Sequence, residues 1–198
     1  MDLEKKAKEL KKIKGNIRGE GILADLEYAR LKKGEKGVRA VEKKLNELGY
    51  KIKFDQIKSM SWYPARIDII KNYILMDLFN WTKKDIFNMA NFSPKASFLV
   101  KVLVKYFVSA KKSFEQGPKY WRQQFDFGEL QAYEYNDKKK RMIFRIKEYK
   151  TDPIMCTVFS GYFLRLAQFV LKSKKVSIKE TKCVYKGDPF CEQTIYWE

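Results

Sequence analysis

From Lys36 to Leu48 apolar residues recur at three- and four-residue steps, as Val38, Val41, Leu45 and Leu48, among charged neighbours. That spacing lays one apolar stripe along a helix. A second helical segment over Ile22 to Leu31 precedes it, with a break at Gly34, and Gly49 suits a C-cap. The pair cannot bury its stripes alone and must dock on the main body or on a second subunit. Upstream, residues 1–14 read as a basic, surface-exposed arm, followed by a passage punctuated by Gly15, Gly19 and Gly21. Those glycines match neither the phosphate-loop nor the dinucleotide pattern.

Further on, the chain is irregular from Lys51 to Trp62. Pro64 then suits the first turn of a helix reaching Asn80. Thr82 with Asp85 makes a capping box for a helix to Ala90, and Ser93-Pro94 reads as the start of another. The stretch Ser97 to Ala110 is apolar nearly all round, which predicts a central buried helix with Lys101 and Lys105 on its wet edge. Phe114 to Phe127 has an aromatic, helical rhythm. Glu129 to Tyr135 and Arg141 to Tyr149 read as a hairpin turned at Asn136-Asp137. A helix follows from Ile154 to Lys172, with Cys156, Phe159, Phe163, Leu166, Ala167 and Val170 on its inner face. Val176 to Tyr185 and Phe190 to Trp197 close the chain as a second hairpin. The predicted class is α+β, an antiparallel sheet packed with several helices. Residues 1–58 form an N-terminal helical extension, a possible dimerisation element, and 59–198 the main domain.

Composition narrows the chemistry. The chain has 198 residues, 45% of them hydrophobic, which is ample for a sizeable core. Its net charge of +18 raises nucleic acid as a partner, but lysines and arginines are spread from Lys5 to Lys186 rather than gathered in one stripe. The chain has no histidine, which removes Ser-His-Asp and Cys-His nucleophiles, histidine-ligated haem and histidine-containing zinc sites. Three cysteines are too few, and odd in number, for a secreted disulfide scaffold. The charged N-terminus has no signal-peptide core, and the most apolar stretch is too short to span a bilayer. A cytoplasmic protein with no membrane insertion is expected.

The cysteines converge on one turn. Cys183 and Cys191 stand at equal distances on either side of Gly187, so they face each other across the second hairpin, and Cys156 near the start of the preceding helix can reach them. Glu180 can join Cys183 only through a bulge, because residues three apart on a strand face opposite ways. Glu192 points away from Cys191. By spacing alone the thiols suit a metal site, ordinary core packing or a disulfide.

The segment Glu180-x-x-Cys183-x-x-x-Gly187-Asp188-x-x-Cys191, with Cys156 on the helix before it, resembles the 4-vinyl reductase-type domain family. A weaker likeness runs from Trp62 to Trp197. In members that sense phenols and other aromatics, three cysteines and a glutamate hold a structural zinc. By that resemblance Cys156, Glu180, Cys183 and Cys191 are the zinc ligands here. The family shares its fold with haem-based nitric oxide sensors and with vesicle-tethering subunits that enclose acyl chains. It implies a small-molecule binding or sensory module, usually a homodimer. The phenol sensors hold the ligand hydroxyl with a histidine and a tryptophan, and the histidine is missing here.

The expected partner is therefore a small hydrophobic, aromatic or acyl ligand enclosed by Trp62, Phe98, Phe107, Trp121, Tyr135, Phe159 and Phe163, with Arg66 to meet a carboxylate. The other readings are a vinyl-reductase-type enzyme of tetrapyrrole metabolism, for which no acid–base pair is evident, and a basic nucleic-acid-binding protein.

Overall fold

The computed structural model describes residues 2–97, 100 and 109–198. The predicted helix over Ser97 to Ala110 lies largely outside them, as do Phe98, Lys101, Lys105 and Phe107.

The chain begins with α1 (Leu3–Leu10), capped by the Asp2 side chain, which accepts from the Lys5 amide at 2.9 Å. This helix is no exposed arm. Leu3, Ala7 and Leu10 fall on one face at four- and three-residue steps, and all three are buried against the following body. The Tyr50 hydroxyl fixes the helix by donating to the Ala7 carbonyl at 3.1 Å. The short strand β1 (Asn16–Arg18) leads into α2 (Gly19–Glu47), which breaks at Gly34, where φ is 67°. The predicted helical pair is thus one kinked element. Its stripe docks on this chain: Val38, Val41 and Leu45 are buried, and α2 packs on α3 (Ala65–Phe79) and α4 (Lys83–Ala96).

Between them β2 (Trp62–Pro64) pairs antiparallel with β1, aligning Ile17 with Tyr63. This pairing crosses the expected boundary at residue 58, and one apolar cluster runs from Leu3 to Trp197. The start of α4 carries the predicted capping box: the Thr82 amide donates to Asp85 at 2.8 Å, and these bonds hold the Asp85 carboxyl below its ordinary value. Thr82→Ala should therefore cost about 1 kcal/mol in a urea titration. The helix does not stop at Ala90 and restart at Pro94. It runs through Pro94 to Ala96, with the Ser93 hydroxyl oxygen 3.1 Å from the Met89 carbonyl oxygen. A proline in the last turn forfeits one hydrogen bond without breaking much helix beyond it.

After α5 (Ala110–Gln124) come β3 (Glu129–Asn136) and β4 (Arg141–Lys147), then α6 (Ile154–Val170), β5 (Val176–Lys182) and β6 (Cys191–Trp197). The four strands form one antiparallel sheet in the order β3-β4-β6-β5. Both predicted hairpins are present. Helices α5 and α6 pack on one face of this sheet, and α4 lies along α6. The architecture is α+β with helices on an antiparallel sheet and a helical N-terminal part. No helix among the described residues is long and apolar enough to cross a membrane.

Candidate functional site

A cavity of about 180 Å³ lies between the first half of α2, α4, α5, α6 and the inner face of the sheet. Each element presents it with residues one helical face apart. Helix α6 contributes Phe159, Tyr162, Phe163 and Leu166, and α5 contributes Phe114, Gly117 and Trp121. The sheet closes the floor with Leu130, Met142, Phe144 and Ile195, which alternate inward along their strands. Phe159 is the hub of the aromatic wall, with ring centroids 5.2 Å from Trp121, 5.0 Å from Tyr149 and 5.9 Å from Phe163. Trp121 stacks on Phe125 at 4.2 Å, and its indole N–H donates to the carbonyls of Phe127 and Gly128 at 3.2 Å.

One side of the cavity is acidic. Glu20 and Asp25 on α2 and Asp68 on α3 all line it and are buried. Behind them Lys71, with no exposed surface, donates to Asp25 and, at 2.6 Å, to Asp68. Ser93 donates to Asp25, and Ser97 donates to Glu20 at 2.8 Å. Burial opposes the Lys71 ammonium, but Asp25 and Asp68 outweigh it and hold the group above its ordinary value. Burial pushes the Asp68 carboxyl up, Lys71 opposes the rise, and Asp25 adds to it. Burial likewise raises the Tyr162 phenol, with Glu20 and Asp25 adding to the effect.

Of the ligand residues expected from sequence, Trp121, Phe159 and Phe163 line this cavity. Trp62 does not. It lies at the surface under the Arg18 guanidinium, 3.7 Å from the ring centroid. Arg66 is half-buried outside the lining, where its charge is felt by Tyr50. Tyr135 packs between Trp197 and Phe114, at 5.6 and 5.9 Å, also outside the lining. The acid–lysine group is absent from the residues expected by sequence. Its signal is the intrusion of Asp68 and Lys71 into the apolar run Ile67 to Ile74, beside the Arg66 singled out as the cation.

The second cluster is at the far hairpin. Cys156 Sγ lies 3.8 Å from Cys183 Sγ and 3.9 Å from Cys191 Sγ, and all three thiols fall within 4.8 Å of one another, a set that can hold a metal ion. The bulge that Glu180 needed is present, as the β5–β6 register shifts between Glu180 and Lys182. One Glu180 oxygen accepts from Lys186 at 3.0 Å, and the other is buried without a hydrogen-bond partner among the described residues. Glu192 turns to Arg145 instead, at 2.8 Å. The thiols share protons unequally. The contact with Cys156 is the main cause that lowers Cys191 to about 6, while the contact with Cys191, burial and Glu180 push Cys156 up.

No protein-family model matches the chain, and no curated protein matches it. Solved structures do. An H-NOX protein from S. oneidensis in the Fe(II)NO state is similar at a TM-score of 0.69 and 12% identity, over 92% of this chain and 99% of that one. A structure from work on haem distortion in the H-NOX family gives 0.66 at 13% identity, covering 92% and 95%. A third, from work on the molecular mechanism of H-NOX activation, gives 0.64 at 12% identity, covering 89% and 94%. The fold is therefore that of the H-NOX domains. The expectation of structural zinc is corrected by this comparison, since the cofactor named for the fold neighbours is haem.

Proposed function

We propose that this chain is a small-molecule binding domain of sensory type that encloses an apolar ligand between α2, α4, α5, α6 and the sheet. The observation that carries the reading is the aromatic-walled cavity with a few buried polar groups on one side, the usual anatomy of a ligand site. Kinship to the 4-vinyl reductase-type domains is part of the proposal. It is supported by the Glu180-to-Cys191 pattern and by the approach of Cys156 to both hairpin cysteines.

Haem, named for the fold neighbours, does not fit these residues. Haem iron is held by histidine, cysteine, methionine or tyrosine side chains. The chain has no histidine and none of its cysteines lines the cavity. Of the tyrosines there, Tyr162 is held as the neutral phenol by burial and by Glu20 and Asp25, which disfavours a tyrosinate ligand. The described lining otherwise offers the phenol of Tyr120 and the thioethers of Met142 and Met155, none of them the imidazole or thiolate of the common haem sites. A metal-free organic ligand suits the lining better.

Native mass spectrometry of the purified full chain should show a bound organic mass lost on denaturation. Gly21 provides a sharper test. It lines the cavity, is exposed, and a Cβ added there meets nothing within 4 Å among the described residues. Gly21→Trp introduces an indole at the rim, and replacing a helical glycine favours the helix. Affinity for an apolar fluorescent probe should fall at least tenfold with the melting temperature undiminished. Unchanged affinity would place uptake elsewhere.

A further inference from the structure

The polar side of the cavity specifies a charge. Among the described residues three buried carboxylates line it, Glu20, Asp25 and Asp68, against one buried ammonium, Lys71, which is not part of the lining. Lys71 is shared by Asp25 and Asp68. Glu20 is left with the Ser97 hydroxyl as its hydrogen-bond donor among the described residues. Arg18, the cation among the described lining residues, is committed elsewhere, donating to the carbonyls of Gln123 and Met60 and stacking on Trp62. Among the described residues Glu20 has no cation beside it; a buried carboxylate so placed is costly, and a cationic ligand group removes that cost while gaining a charge-assisted hydrogen bond. A ligand carboxylate would meet the same excess of negative charge and be repelled.

We propose that the cavity takes a hydrophobic amine, its protonated nitrogen against Glu20 and its body among Phe114, Trp121, Phe159 and Phe163. This rests on the reading of the cavity as a ligand site, and it replaces the expectation that an arginine would receive an acid. Asp25 and Asp68 tune the site through the field they add, and Lys71 keeps the two of them from repelling each other.

The test uses three probes of matched shape, 4-phenylbutylamine, 4-phenylbutan-1-ol and 4-phenylbutanoate, titrated calorimetrically into the full chain at neutral pH. The amine should bind at least about tenfold tighter than the alcohol, because its positive charge compensates the Glu20 carboxylate, which a neutral hydroxyl donor cannot do. The carboxylate should be weakest. Glu20→Gln should erase the advantage of the amine over the alcohol. An amine no tighter than the alcohol, a carboxylate that binds best, or a preference that survives Glu20→Gln overturns the amine assignment alone. Failure of all three probes overturns the cavity reading beneath it as well. If Glu20→Gln does not fold, the ranking on the unaltered chain decides the matter.

Discussion

Lys71→Met is expected to lower the unfolding free energy by about 3–5 kcal/mol, the cost of removing one partner from a buried ion cluster. The methionine keeps most of the side-chain volume, so the loss is electrostatic. Without the ammonium, Asp25 and Asp68 face each other in a site with almost no solvent. Asp68 is already held above its ordinary value by burial, with Lys71 opposing, and removing that opposition raises it further. The sign of the pH dependence follows. A carboxyl whose folded pKa exceeds its unfolded value is harmless below the unfolded value and increasingly destabilising as pH rises above it. The variant should therefore regain stability as the pH is lowered toward about 4, the ordinary carboxylate range. Adding Asp68→Asn to Lys71→Met should restore part of the loss at neutral pH. Urea titrations at several pH values check both, and a neutral-pH loss below about 1 kcal/mol would show the cluster to be dispensable.

Gly161→Val carries the second large effect. A Cβ at Gly161 would collide with the Phe87 carbonyl oxygen and lie 3.0 Å from the Ala90 Cβ. The first of these is backbone and cannot step aside, so α4 and α6 must separate. Overpacking of this kind costs about 1–3 kcal/mol, and a backbone collision belongs at the upper end. The bonds that lock the pair suffer too: Asn91 donates to the Gly161 carbonyl at 3.0 Å, and Arg165 donates to the Asn91 carbonyl at 3.0 Å. Because both helices wall the cavity, probe affinity should fall along with the melting temperature. Gly21→Ala is the control, since its Cβ meets nothing within 4 Å among the described residues, and it should be neutral or stabilising.

How much of this was legible in the sequence depended on whether the informative residues were neighbours. The strands from Arg141 and Val176 and the helix from Ile154 declare themselves by local periodicity, and each lies where the pattern put it. The thiol cluster was readable for the same reason: turn symmetry brings Cys183 and Cys191 together, and a helix just upstream delivers Cys156. Helix α1 looks like an exposed arm in sequence because three apolar residues among lysines make a faint stripe, and only the tertiary structure shows that a partner surface exists for it. The aromatics divide by element. Phe159 and Phe163 share a face with a strong stripe and so point inward, whereas the type of Trp62 said nothing about which side of a three-residue strand it would occupy. The buried acid–lysine group was hidden because Asp25 and Lys71 are 46 residues apart. Opposite charges that distant in sequence become partners only once helices have packed.

The way the N-terminal strand is held has a consequence for the order in which this protein can form. Asn16 is clasped by Asp126, 110 residues later, through its amide at 2.6 Å and its side chain at 2.7 Å, and Glu20 and Asp25 wait for Ser97 and Ser93. Contacts of such long sequence separation slow folding, because the entropy of closing the loop is lost before the contact is gained. On the ribosome, the first third of the chain emerges with its two carboxylates and its apolar stripes still without partners. It must wait for α4 and α5 before it can settle. The long-range bonds of Glu20 and Asp25 to Ser97 and Ser93 thus make the acidic side of the cavity one of the last features to assemble.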